Sequence, residues 1–257
     1  MLETRLHAVL ADSFPEIGAG FKEDAAIEET DLLEADETSP ATSGALVQSE
    51  ETQPRQISTG EIAAGGLSPE SGSIAAYTGM LATELAMTVA NLTASRKPSV
   101  ADEVAVMVDR LEQLNADLQL ALREDVEGRE RVLDAMALPR ESDAEKLSRS
   151  MAIEQATKNA VAAPLRIAES AMQVLEIFNE LYEMGNAGGF SDLALGAQLA
   201  VTAIRGAAYN ILPSVMNIGD HEFAEDCRAQ IIDLLEGGNE VANQIEGFFL
   251  RIYPSEN

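Results

Sequence analysis

The chain has 257 residues and a formal net charge of −27, with acidic groups spread along its length and only 4% aromatic residues. That length accommodates one sizeable domain with its own core, and the charge argues against nucleic acid or an anionic membrane surface as a partner. Cys227 is the only cysteine and His7 and His221 the only histidines, which excludes an intrachain disulfide and a thiolate metal cluster and gives no reason to expect a metal site or a Ser-His-Asp triad.

At the N-terminus no positively charged start leads into an apolar run, so no secretion signal is read and a cytoplasmic location is expected. Residues 1–60 carry thirteen Asp/Glu against Arg5, Lys22 and Arg55, with Phe14 and Phe21 as the only aromatics. Such a segment buries too little apolar surface to offset its ordering entropy, so a largely disordered acidic segment is expected there. Leu2, Leu6, Val9 and Leu10 suit one short amphipathic turn or two, which reads either as a docking peptide or, at least as well, as a transient helix with no partner.

The folded domain is expected over 61–257. It opens with Pro69-Glu70-Ser71-Gly72-Ser73, a turn that delivers a helix N-terminus, where free N–H groups can receive an anionic or carbonyl-bearing ligand. From Ser71 to Ser95 the only charge is Glu84. Ala75, Gly79 and Thr83, and again Ala82, Ala86 and Ala90, recur every four residues and give a smooth helical face. The stretch is long enough to span a bilayer, but its Thr, Asn and Glu84 fit a buried central helix better.

After Pro98-Ser99, the residues Val100, Val104, Met107, Leu111, Leu114, Leu118 and Leu122 form one apolar stripe in steps of four and three. The stripe predicts a helix ending near Asp125, followed by a short separate helix from Arg129 to Leu138. Asp143 is the expected N-cap of the next helix, which holds Leu147, Met151, Ile153 and Ala156, with Pro164 as its kink or break. A further helix carries Leu165 to Leu181 and stops at the glycines from Gly185. Ser191 is the expected cap of a small-residue helix interrupted by Pro213, and Asp220 starts the last helix, loosened midway by Gly237-Gly238. The methionines Met80, Met87, Met107, Met151 and Met172 read as core filler. No stretch alternates as a strand does, and the expected class is all-α, an antiparallel helical bundle.

Ligand sites in such bundles lie between facing helices, where a few polar groups interrupt an apolar cleft. Asp125, flanked by Glu124 and Glu127, suits general acid–base work or stabilisation of a cation; a solvated helix terminus is the plain alternative. Asp192 suits a first-turn position, and Asn91, Asn210 and the Arg96-Lys97 pair could anchor a ligand but read by default as exposed loop residues.

Several of these segments together resemble the formiminotetrahydrofolate cyclodeaminase / methenyltetrahydrofolate cyclohydrolase family. The likeness runs through the 69–73 turn, Val89-Ala90-Asn91-Leu92-Thr93, Asp125-Val126-Glu127, Leu133-Asp134-Ala135-Met136-Ala137-Leu138-Pro139-Arg140, Ala162-Ala163-Pro164-Leu165, Gly185-Asn186, Ser191-Asp192-Leu193 and Tyr209-Asn210-Ile211. It spans roughly residues 61–250. The turn departs from the family's usual Pro-Gly-Gly-Gly-Ser at Glu70 and Ser71, and Arg129 stands where an aromatic is common. The resemblance implies a homodimeric helical domain that handles tetrahydrofolate derivatives without metal or nucleotide. It places the catalytic carboxylate at Asp125 and folate contacts at Ser71, Gly72, Ser73, Asn91, Arg96, Lys97, Asp192 and Asn210. Asp125, Ser73, Asp192 and Asn210 are then expected to converge on one cleft. The alternative is a non-catalytic relative, a dimeric helical binding or scaffold protein whose acidic segment engages a partner.

Overall fold

The computed structural model describes residues 71–185 and 189–252. The expected disordered segment over 1–60, Pro69 and Glu70 of the turn, and Asn186 lie outside those residues. Among the described residues the elements are α1 (Ser71–Arg96), a 3-10 turn (Pro98–Val100), α2 (Ala101–Met136), α3 (Asp143–Ala160), α4 (Ala162–Glu183), α5 (Phe190–Val215) and α6 (His221–Ile252), with no strand.

The uncharged stretch from Ser71 forms α1, which packs against α2, α4 and α5. Its threonines do not leave polar atoms stranded. Thr83 and Thr93 are fully buried, and Thr83 donates its hydroxyl to the Gly79 carbonyl at 2.8 Å and Thr93 to that of Val89 at 2.7 Å. This back-bonding one turn up the helix lets a hydroxyl sit in an apolar interior. No helix among the described residues is long and apolar enough to cross a membrane.

The periodic stripe of α2 is buried as expected, from Val104 through Met107, Leu111, Leu114 and Leu118. The helix does not end near Asp125, however. It runs unbroken to Met136, because Gly128 costs only about 1 kcal/mol of helix propensity and lies flat on the Ala160 backbone, where an added Cβ would stand 3.2 Å from the Ala160 Cα. Ser142, not Asp143, caps α3: its hydroxyl accepts from the Glu145 N–H while Glu145 reaches back to the Ser142 N–H at 2.7 Å. This reciprocal pair is a capping box. The helix buries none of its residues, and Leu147 and Met151 are 64% and 66% exposed, so Met151 is not core filler. The chain breaks at Val161, and Pro164 sits in the first turn of α4, where the missing N–H has no intrahelical role.

α4 ends at Gly185, whose φ of 69° suits only glycine comfortably. α5 starts two residues earlier than expected, with Gly189 rather than Ser191 at the N-cap. It then runs through Pro213 to Val215 on a face of Ala197, Ala200, Ala203, Ile204, Ala207 and Ala208, all fully buried. Such small residues bring backbones close, and Gly196 lies under the Phe178 ring so tightly that a Cβ there would fall 2.0 Å from Cζ. Asp220 caps α6 by accepting from the Phe223 N–H at 3.2 Å, and α6 continues through Gly237-Gly238 without a break. α5 is thus the hub, packed on α1, α4 and α6. Gly79 faces both Leu118 and Ala203, and this register brings the start of α1, the middle of α2 and the end of α5 to one end of the bundle.

Candidate active site

At that end Asn210 of α5 donates its side-chain amide to Oδ1 of Asp125 on α2 at 3.0 Å. Gly72, the second residue of α1, presses against the same pair. A Cβ on Gly72 would lie 2.3 Å from Asp125 Oδ2 and 2.7 Å from Asn210 Nδ2. The carboxylate therefore occupies the space a side chain would need, and only glycine leaves that space open. Ser73 beside it is buried, and Ser71 is the first residue of α1.

Burial pushes the Asp125 carboxyl above its ordinary value of 3.8, partly offset by the bond from Asn210. Desolvation disfavours the charged form, while a donor to the carboxylate favours it. The two other acids of this segment are engaged elsewhere: Glu124 receives the Arg166 guanidinium at 2.6 Å and Glu127 that of Arg131 at 2.7 Å. Asp125 alone of the three faces a cleft of about 440 Å³, within the size range of small-molecule pockets. Down one wall α2 supplies Asp125, Arg129, Val132 and Met136. α3 supplies Ser150, Ile153, Glu154 and Thr157 opposite, and Asn210, Pro213, Ser214 and Asn217 close the end. Glu154 is held by Lys158 at 3.2 Å, and that lysine also pairs with Asp220 at 2.9 Å. Pro213 has no N–H to give to the Tyr209 carbonyl, so the last turn of α5 is loosened at the cleft.

The other expected contacts do not join this group within one chain. Asn91, exposed on α1, is about 28 Å along the helix axis from Gly72, and Arg96 about 36 Å, at roughly 1.5 Å per residue. Lys97 donates to the Met184 carbonyl and so closes the end of α4. Asp192 lies in the first turn of α5, about 27 Å from Asn210 on the same scale, where its charge complements the helix dipole. The four gather at the opposite end of the bundle from Asp125.

Arg129, Glu154, Ser214 and Asn217 enter the cleft as wall residues not singled out beforehand as ligand contacts. One signal for Arg129 was available: it follows Asp125 by four residues, hence on the same helical face. The α3 contributions depend on how that helix folds back over α2, which no local pattern encodes.

The sequence profile of the formiminotransferase-cyclodeaminase family matches residues 58–233, more than half of the chain. The chain belongs to this family. Among relatives within it, the methenyltetrahydrofolate cyclohydrolase of Methylorubrum extorquens is 29% identical over 176 residues, covering 68% of this chain and 85% of that protein. The formimidoyltransferase-cyclodeaminase of Rattus norvegicus is 28% identical over 189 residues, covering 73% of this chain and 35% of that protein. The chain thus spans about a third of the length of that longer relative. A crystal structure of formiminotetrahydrofolate cyclodeaminase from Thermotoga maritima superposes with a TM-score of 0.64 at 22% identity, over 76% of this chain and 98% of that one. The all-helical architecture is therefore the cyclodeaminase fold, and the family is one of folate one-carbon proteins.

Proposed function

We propose that this chain is a methenyltetrahydrofolate cyclohydrolase in which Asp125 is the general base. The observation that carries the proposal is the half-buried Asp125 carboxylate, fixed at Oδ1 by Asn210 and facing a cleft of ligand size. Membership of the family and the match over 85% of the Methylorubrum relative support the choice of reaction.

In 5,10-methenyl-tetrahydrofolate the one-carbon centre is an amidinium-like cation bonded to N5 and N10. A carboxylate beside it stabilises the positive charge, and its unbonded oxygen takes a proton from the attacking water. The new C–O bond gives a neutral tetrahedral carbinolamine. When the C–N5 bond breaks, the electron pair returns to N5, the carbinol proton is released and N5 takes up a proton. The product is 10-formyl-tetrahydrofolate, with one proton released overall. The scheme calls for no metal or nucleotide. Asn210 holds one carboxylate oxygen so that the other is presented to the water.

Cyclodeaminase chemistry is the second reading, favoured by the Thermotoga fold match and the rat relative. There N10 closes on the formimino carbon of N5-formimino-tetrahydrofolate, and the same carboxyl supplies a proton to departing ammonia. A homodimer is part of the proposal. The deciding assay follows the methenyl absorbance: its loss from methenyl-tetrahydrofolate reports cyclohydrolase, and its appearance from the formimino substrate reports cyclodeaminase. Turnover that collapses by about 10²–10⁴-fold in Asp125→Asn is the expected result, the range for loss of a general base. No turnover of either substrate by folded protein would leave the chain as a binding relative.

A further inference from the structure

Two walls of the cleft are weakly held by apolar packing. α3 buries none of its residues, and it packs on α2 with only marginal contact to α4 and α5. On the facing side, Pro213 loosens the last turn of α5, and the turn that follows carries Asn217 and Ile218 into the cleft. A polar node joins these two walls. Lys158 Nζ lies 3.2 Å from Glu154 Oε1 and 2.9 Å from Asp220 Oδ2. The Asp220 N–H donates to the same Glu154 oxygen at 3.2 Å. The ammonium also stands 5.8 Å from the centre of the Phe223 ring on α6, within cation–π reach.

We infer that Lys158 is a positioning residue of this site: it latches α3 to the turn before α6 and so keeps the cleft closed around a bound ligand. The inference rests on the folate reading above and concerns how that cleft is held together.

Lys158 is the shared partner in the node, one ammonium bridging a carboxylate on α3 and a carboxylate at the start of α6. Without it, Glu154 and Asp220 are two like charges brought together across the walls, and they repel. Its side chain is only 21% exposed, so water and salt screen it less than they screen an isolated surface pair. It acts through Glu154, which lines the cleft, while its own ammonium is occupied by the two acids. The Asp125–Asn210 pair is held separately. Gly72 lies against it, and the Ser214 hydroxyl donates to the Asn210 carbonyl at 2.8 Å. Opening the latch therefore loosens the grip on a ligand without displacing the base.

The test combines hydrogen exchange and kinetics on the full chain, in wild type, Lys158→Met, Asp220→Asn and Lys158→Arg. Asn keeps a capping oxygen for α6, so Asp220→Asn removes the ion pair without unwinding that helix. Amides of α3 should exchange about tenfold faster in Lys158→Met and Asp220→Asn, with α1 unchanged, as expected for local opening of a wall that has lost a charge-assisted bond. KM for methenyl-tetrahydrofolate should rise by a similar factor at nearly constant kcat, and Lys158→Arg should restore both. Unchanged α3 exchange in the two variants overturns the inference, as does faster exchange with an unchanged KM. A fall in kcat at constant KM also overturns it. So does a higher KM in Lys158→Met alone, which would make Lys158 a direct contact to the ligand. If neither substrate turns over, the folate reading fails and exchange alone decides. Faster α3 exchange in both variants, reversed by Lys158→Arg, then keeps the latch, and unchanged exchange rejects it.

Discussion

The chemistry proposed for this chain rests on a single carboxylate. Asp125 is raised above its ordinary value by burial, so its protonated form is favoured on folding. Its contribution to stability is greatest below pH 3.8 and declines as pH rises through the raised value. Replacing it by Asn removes that penalty while retaining an oxygen for the Asn210 amide. Thermal melts of Asp125→Asn and wild type should converge near the ordinary carboxylate pKa and separate toward pH 7, the variant melting higher. A variant that melts lower at pH 7 would show that burial is not the dominant influence. The catalytic rate should show the matching limb, falling with acidification at a pH above 3.8 as the base is protonated.

Gly72 belongs to the same scale. A Cβ there collides with both Asp125 and Asn210, so Gly72→Ala should leave the helical circular dichroism intact and lower kcat/KM by about 10²-fold through misplacement of the base. This position also explains what a departure in the turn puts at risk. Gly72 of that turn lies against the carboxylate, and the chain retains it.

Among the elements, the helices were legible where one apolar face is continuous, as along Val104 to Leu118. Their ends were less legible, because caps and breaks depend on partners. The expected helix end near Asp125 does not occur, and Gly128, lying against Ala160, stays within an unbroken α2. Leu147 and Met151 have core composition, yet the capping box and the docking of α3 leave them exposed. The candidate site was legible in Asp125, Asn210 and Gly72, whose order follows the family. The rest was not, since Arg96, Lys97, Asn91 and Asp192 are near the others only in a list of motifs and lie far from them in the fold. Packing between α4 and α5 gives a sharp check. Gly196→Ala must displace the Phe178 ring, and overpacking of this kind costs about 1–3 kcal/mol. Chemical denaturation should show that loss with an unchanged m-value.

At the scale of the whole molecule, the proposed homodimer has to form at a charge of −27. One face is suited to it. Ile74, Leu81 and Thr88 on α1 run beside Leu195, Thr202 and Tyr209 on α5, each series at seven-residue spacing and each residue exposed. Charge is kept off this face, since Glu84 turns to Asn115 on α2 and Arg205 to Asn239 on α6. The proposed dimer uses this face to meet a second copy. Leu81→Arg should convert a dimer to a monomer in sedimentation experiments without loss of helix content. Association of the wild type should tighten from 10 mM to several hundred mM salt as repulsion between acidic copies is screened. A wild type that is monomeric throughout would remove the dimer from the proposal.

The two groups proposed to hold the reacting centre, Asp125 and Asn210, stand within helices and not in loops. The backbone under them is tied into the bundle's hydrogen-bond ladder, so its amides exchange with solvent only through large, cooperative openings. Ligand binding should then slow exchange across α2 and α5 together, by the factor 1 + [L]/Kd set by mass action. The protein would report occupancy of its cleft as protection of its hub.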